Sequence, residues 1–279
     1  MVDLNSFCMG TRVPKVIHQT YHEVNELPLE IQNNIIKIQQ LNPLWEYRLY
    51  SDTDMESVIL KNYGPDMLRC FNQIDPDYGP ARADLFRYLL MYADGGVYLD
   101  IKSSMKVSLD SLLSEDDLFV LSKWNDDKGV LGRHTELLDV GGYEYQQWFL
   151  ITVPGHLFLK AVIERVTSNI QNYNIFKSGV GKTGVLNVTG PVAYTLGIES
   201  VKGLAGYREV CIRNDFDFIY SIYERNNKEK DHKMLFKKHY SLLKKPIIIP
   251  QTVASFISCW LYSLGSRVKS LLRRVLPSR

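Results

Sequence analysis

Cysteine is scarce in this chain of 279 residues. Cys8, Cys70, Cys211 and Cys259 stand far apart, and no two share a CxxC spacing. That excludes a disulfide-stapled scaffold and a cysteine-rich metal module, and it points to reduced, buried thiols in a cytosolic compartment. No apolar run near the N-terminus has the form of a secretory signal. Strong net charge is missing as well. With 33 Lys and Arg against 31 Asp and Glu the chain carries +2, so its overall balance gives no reason to expect a nucleic-acid partner. Internal repeats and low-complexity linkers are also lacking, which excludes a repeat array.

What remains is ordinary globular composition, 45% hydrophobic and 23% charged. A chain of this length buries a core as one large domain or two small ones. Its charge is unevenly placed. Residues 228 to 279 hold twelve Lys and Arg and two acids, while the rest holds 21 basic and 29 acidic residues. An acidic body with a basic tail points to an anionic surface as partner.

Strand and helix patterns alternate through the first 125 residues. Val13 to Thr20 is β-branched and reads as a first strand. Apolar residues at 31, 35, 36, 38 and 41 predict a helix closed by Asn42 and Pro43. WEYRLYSD alternates as a second strand. TDMESVILKNYG predicts a helix with Thr53 as N-cap, Glu56 completing a capping box and Gly64 stopping it. Residues 80 to 93 predict a further helix, 96 to 101 a strand, and DLFVLSK another. The alternation implies βαβ units and a mainly parallel sheet, in which ligands bind beyond the carboxyl ends of the strands. Later, a strand precedes Pro154 and Gly155, a helix starts near His156, and Thr189-Gly190-Pro191 opens another. REVCIRN and FIYSIY read as late strands, and residues 225 to 245 as a charged, loop-rich excursion.

Two further segments need a reading. SGVGKTG, residues 178 to 184, imitates a phosphate-binding loop, but the required first glycine falls on Phe176 and no clear strand leads in. A flexible loop beside donor or acceptor is expected instead. In the tail, apolar residues at 253, 256, 257, 260, 261, 264, 268, 271, 272, 275 and 276 follow helical steps. The opposite face carries Ser255, Ser258, Ser266, Arg267, Lys269, Arg273 and Arg274, and Trp260 and Tyr262 suit an interface. An in-plane helix on anionic lipid accounts for stripe and basic face together. The alternatives are a helix docked on the domain and a short membrane span. Pro250, Gln251 and the serines speak against the span.

The densest stretch is YGPARADLFRYLLMYADGGVYLDIKSS, residues 78 to 104. On a helix Asp84 and Arg87 share a face, either as a local ion pair of small worth or as part of a site. Gly95 and Gly96 either stop the helix or bring backbone close to a ligand. Tyr98 and Asp100 share one side of the following strand.

Arg82, Asp84, Arg87, Tyr88, Leu90, Gly95, Gly96, Tyr98 and Asp100 follow the pattern R-x-D-x-x-R-Y-x-x-L-x-x-x-G-G-x-Y-x-D. This resembles the core of sugar-nucleotide transferases with the DXD motif, most nearly glycosyltransferase family 32, which includes fungal initiating mannosyltransferases and bacterial capsule enzymes. VPKVIHQTYH, VPGHLFLKAVIERV (with Leu157 where the family has a second proline) and TGPVAYT extend the resemblance over roughly residues 12 to 200. The resemblance implies an α/β GT-A fold, placed over residues 1 to 250, and the tail's own periodicity adds a basic amphipathic helix over 251 to 279. It further implies retaining transfer of a sugar from a UDP- or GDP-linked donor to a glycan or glycolipid acceptor, with Mn2+ or Mg2+.

Carried over by position, Asp84 and Arg87 would bind the donor sugar's hydroxyls. Asp100 would face metal and diphosphate. Residues 17 to 20, including His18, Gln19 and Thr20, together with Tyr50 and Asp52, would hold base and ribose. Arg82, Tyr98, Gly95 and Gly96 would complete the donor site, and Gln146 or Gln147 would lie near the anomeric carbon or simply pack.

The chain departs from the family at Lys102, where the motif's second acid belongs. An ammonium cannot ligate a metal. Three readings stay open: Asp100 holds the metal with outside help, His239 being one candidate ligand; Lys102 itself neutralises the diphosphate; or Lys102 faces solvent. No acid stands out as a nucleophile, so the resemblance implies front-face attack with the diphosphate as base. A cytoplasmic capsule or surface-polysaccharide enzyme is expected, peripheral to the membrane's inner face, because only about a dozen residues precede the first strand. The rival readings are a non-catalytic sugar-nucleotide or glycan-binding module and a nucleotide-sugar hydrolase.

Overall fold

A computed structural model describes Leu4 and residues 7–124, 131–211, 215–223 and 240–275, with side chains as far as 265. Its elements run β1 (Val16–Thr20), α1 (Leu29–Leu41), β2 (Glu46–Tyr50), α2 (Asp52–Asn72), α3 (Gly79–Asp94), β3 (Gly96–Leu99), β4 (Ser104–Met105), α4 (Leu109–Leu112) and β5 (Phe119–Ser122). Then follow β6 (Phe149–Thr152), α5 (Leu157–Gln171), α6 (Ile175–Ser178), α7 (Gly181–Val188), α8 (Pro191–Glu199), β7 (Arg208–Val210), β8 (Phe218–Ile219) and α9 (Val253–Val275).

Six strands form the central sheet in the order β2-β1-β3-β6-β5-β7. All pairings are parallel except those made by β6, which runs against both β3 and β5. The fold is therefore α/β, a mainly parallel sheet flanked by helices, as expected. Side chains alternate across it, as strand geometry requires. Val97, Leu99, Val120, Phe149 and Ile151 enter one apolar layer with α1 and Trp45. Tyr98, Phe119, Leu121 and Leu150 enter the other, against α2, α3, α5 and α8.

The reversal of β6 decides where the site forms. Because it is antiparallel to β3, its first residue, Phe149, pairs with Leu99, the last of β3. The residues just before β6 thus lie beside the residue just after β3, and the Asp100 amide donates to the Trp148 carbonyl at 2.8 Å.

Several local expectations need correction. Ser51, not Thr53, caps α2, accepting from the Asp54 amide while the Asp54 carboxylate accepts from Ser51. The shorter Asp side chain replaces Glu56 in the box. Gly64 does end the first helical segment, as expected, with a non-helical φ of 76°, and Pro65 starts a second segment running to Asn72. SGVGKTG is not a loop. Asn174 caps α6 by accepting from the amides of Phe176 and Lys177, Gly179 breaks it, and α7 starts at Gly181. The excursion at 225–245 lies outside the described residues up to 239. From there Tyr240–Leu242 make a 3-10 turn, and the chain returns to the body through Ile249 N–H to Gln73 and Asp75 N–H to Ile247.

Candidate active site at the carboxyl edge

Pro80 sits in the first turn of α3, where a missing N–H costs nothing. The helix then carries Asp84 and Arg87 one turn apart, and both are buried. The reading of a weak exposed ion pair is therefore set aside. Arg87 Nη2 lies 3.2 Å from Asp84 Oδ1, and Arg87 Nη1 lies 2.9 Å from Asp100 Oδ1. Nη1 also donates to the Gln147 carbonyl at 2.7 Å, and the guanidinium carbon stands 4.8 Å above the Tyr98 ring. One arginine thus ties α3, the end of β3 and the entry to β6.

Asp84 is held from three sides. Gln147 Nε2 donates to Oδ1 at 3.1 Å and Thr189 Oγ1 to Oδ2 at 3.0 Å, besides the arginine. The Tyr88 hydroxyl, on the next turn of α3, donates to Gln147 Oε1 at 2.7 Å and lies 2.9 Å from the Thr189 carbonyl. A carboxylate has about four acceptor positions, so Asp84 keeps about one for a ligand, and Arg87 keeps one Nη2 hydrogen. Burial raises Asp84 to about 6, against the pull of Arg87, Gln147 and Thr189. The Asp100 side chain is 23% exposed, against 4% for Asp84 and 6% for Arg87. Asp100 is therefore the acid that a ligand meets first.

The other expected donor residues divide. Gln19 Nε2 donates to the Asp100 carbonyl at 3.1 Å, while its Oε1 accepts from Tyr47 at 2.7 Å. It is fully buried and positions Asp100 instead of lining a pocket. Thr20 Oγ1 and the Tyr98 hydroxyl bond each other at 3.0 Å. His18 is also fully buried, with Nδ1 3.0 Å from the Tyr50 hydroxyl and Nε2 3.2 Å from the Gly95 carbonyl. Burial first, then Arg48, lowers it to about 4, so the ring is neutral and its nitrogens are spent on the fold. Arg82 is buried on Glu56 at 2.8 Å and over the Phe71 ring. Asp52 is exposed at the start of α2, its carboxyl raised by partial desolvation against the pull of Arg82 and then His22.

Gly95 and Gly96 have φ of 65° and 94°. A Cβ on Gly95 would sit 2.7 Å from Pro154 N and 2.9 Å from Thr152 O, and one on Gly96 would sit 2.6 Å from Val16 O. Their freedom lets β3 lie against its neighbours, not against a ligand.

Lys102 does not face solvent alone. Its Nζ donates to the Tyr220 hydroxyl at 3.1 Å and stands 4.4 Å above that ring. Sequence reasoning missed Tyr220, which FIYSIY hid inside an apolar strand pattern, and Thr189, visible only as a turn residue. It also missed Tyr240, which is raised to about 12 by burial and then by Asp84, Tyr220 and Asp100. These four groups therefore share one locale. Gln147 rather than Gln146 joins Asp84. Gln146 lies buried with its Oε1 unpartnered among the described residues.

The expected metal ligands fare differently. His239 lies outside the described residues. Among the described residues no three His, Cys, Asp or Glu side chains converge as a cation shell. Asp100 has one oxygen on Arg87, and all three oxygen contacts of Asp84 are protein groups. Hard cations need several free oxygen ligands, so these residues do not fit a dedicated divalent site.

Residues 28–119 match the family described as "Glycosyltransferase sugar-binding region containing DXD motif". The chain is 36% identical over 101 residues to inositol phosphoceramide mannosyltransferase 3 of Schizosaccharomyces pombe, covering 36% of this chain and 27% of that protein. It is 30% identical over 170 residues to inositol phosphoceramide mannosyltransferase 2 of the same organism, covering 61% and 43%. It is 26% identical over 201 residues to the initiation-specific alpha-1,6-mannosyltransferase of Candida albicans, covering 65% and 51%. The chain thus spans about a quarter to half the length of these relatives. A solved structure described as the UDP-bound glycosyltransferase domain from the YGT toxin is similar at 10% identity, with TM-score 0.49, over 78% of this chain and 83% of that one.

Proposed function

From the match of residues 28–119 to the DXD glycosyltransferase family, we propose that this chain moves a sugar from a UDP- or GDP-linked donor to a glycan or glycolipid acceptor, with retention. The observation that carries the reading is the joined Asp84–Arg87–Asp100 cluster at the carboxyl edge of the sheet. In this reading Asp100 meets the donor at the pocket mouth. Asp84 accepts a sugar hydroxyl with its remaining position, and Arg87 donates its remaining hydrogen to another. Carboxylate and guanidinium together match a polyol, which both gives and takes hydrogen bonds. Tyr98 and Gln19 position Arg87 and Asp100. Attack occurs on the face the diphosphate leaves, and the departing phosphate takes the acceptor's proton.

The relatives named for inositol phosphoceramide favour a lipid-linked acceptor, and α9 agrees. Its body-facing residues are Ser255, Ser258, Cys259 and Tyr262, the last against Phe176. The apolar stripe points away: Val253 is 76%, Phe256 59% and Trp260 64% exposed. The sequence adds Arg267, Lys269, Arg273 and Arg274, whose side chains lie outside the described ones. No helix among the described residues is long and apolar enough to cross a membrane. We read residues 1–250 as the transferase unit and 251–279 as an in-plane helix on anionic lipid. The free thiols at Cys8, Cys70, Cys211 and Cys259 suit the inner face of a membrane.

The test is a transfer assay with UDP- and GDP-sugars and lipid-linked or free glycan acceptors, read by mass shift and by the anomeric configuration of the product. A retained-anomer product, lost in Asp100→Ala while circular dichroism is unchanged, supports the reading. Full activity in Asp100→Ala removes it.

A further inference from the structure

The misfit between this site and a divalent cation has a positive counterpart. We propose that Lys102, held on Tyr220, binds the donor's diphosphate in place of a metal ion, so that the enzyme works without one. This rests on the glycosyltransferase reading and deepens it.

Charge carries the first part of the argument. The cluster holds two acids, Asp84 and Asp100, and two permanent cations, Arg87 and Lys102. An acid at position 102 would leave the same cluster two charges negative, which one divalent cation would neutralise. With lysine there, the protein reaches the same balance by itself. A divalent ion added to this cluster would meet Arg87 already on Asp100 at 2.9 Å. It would find no trio of ligating side chains among the described residues.

Placement carries the second part. Lys102 follows β3 in a turn closed by the Ser103 amide donating to the Asp100 carbonyl at 2.8 Å. The segment after β8 clamps that turn: the Ile222 amide donates to the Lys102 carbonyl at 2.8 Å and Ser103 Oγ to the Tyr220 carbonyl at 2.9 Å. The Tyr220 ring stands edge-on to Trp124 at 5.2 Å and to Trp148 at 5.5 Å. A flexible lysine is thus laid on a fixed aromatic face just beyond the end of β3, with two of its three N–H donors uncommitted among the described residues. An ammonium in that place stabilises a diphosphate as a point charge, both bound and leaving. Tyr220 acts through Lys102 and is a positioning residue.

The experiment is calorimetric titration of the full chain with UDP and GDP, first in EDTA and then in manganese, with uridine and guanosine as phosphate-free probes. The expected result is nucleoside diphosphate binding that is equal in both buffers. Lys102→Ala should weaken it about tenfold or more while leaving nucleoside affinity unchanged, and Lys102→Arg should restore most of it. Lys102→Asp should create a manganese requirement. Binding that collapses in EDTA and returns with manganese overturns the proposal but keeps the transferase reading. So does Lys102→Ala binding as tightly as the parent. Failure of every nucleotide to bind in either buffer overturns both.

Discussion

Asp84 carries the pH dependence. Its carboxyl is raised to about 6 by burial, so it is ionised at neutral pH and takes up a proton as pH falls through about 6. Protonation converts an acceptor into a donor that no longer matches its Arg87, Gln147 and Thr189 partners. Donor affinity should be flat above about pH 7 and weaken toward tenfold per pH unit well below 6. Asp84→Asn should bind more weakly throughout and lose that slope; a slope that survives the substitution assigns it to another group. At this scale the sequence was partly legible. The spacing of Asp84, Arg87, Tyr98 and Asp100 already put them on common faces, because helix and strand periods are local properties. Gln19, Tyr220, Thr189 and Tyr240 were not legible as partners, because each reaches the site by a contact across tens of residues. The glycines misled for a related reason: their positive φ serves strand packing, and only the neighbours Val16, Thr152 and Pro154 reveal that.

At the level of elements, the alternating patterns gave β1, α1, β2, α3, β3 and β5 within a few residues, since amphipathic periodicity records which face is buried. The direction of β6 was not readable. FLIT is buried throughout and apolar but for Thr152, as suits a strand covered on both faces, and such a run carries no sign of parallel or antiparallel pairing. That reversal is what delivers Gln147 and Trp148 to the end of β3. The helix pair α5 and α8 makes a second prediction. Gly197 lets the helices meet so closely that an added Cβ would stand 2.8 Å from Val162 Cα. Since backbone must move, Gly197→Ala should cost about 1–3 kcal/mol, read as a lower thermal midpoint. An unchanged midpoint would mean the helices separate freely.

For the whole molecule, an acidic body with a basic amphipathic end predicts a salt-sensitive attachment to anionic vesicles. The full chain should sediment with phosphatidylserine-containing liposomes and not with neutral ones. Deletion of residues 253–279 should release it while leaving transfer to a soluble acceptor intact. A truncated form that still sediments places the contact elsewhere on the surface. The sequence displayed this stripe and basic face clearly. Which side of the helix meets the domain came only from the inward turn of Ser255, Ser258, Cys259 and Tyr262.

The central claim is that Asp84, Arg87 and Asp100 together hold a nucleotide sugar. The measurement that reaches it most directly is calorimetric titration of the full chain with a panel of UDP- and GDP-sugars, repeated on Asp100→Ala. The account predicts saturable binding of at least one donor, tighter than its free nucleotide because the sugar is also held, and loss of that binding in the variant. Binding that is equally tight in Asp100→Ala, or no binding of any donor by the parent chain, would contradict it.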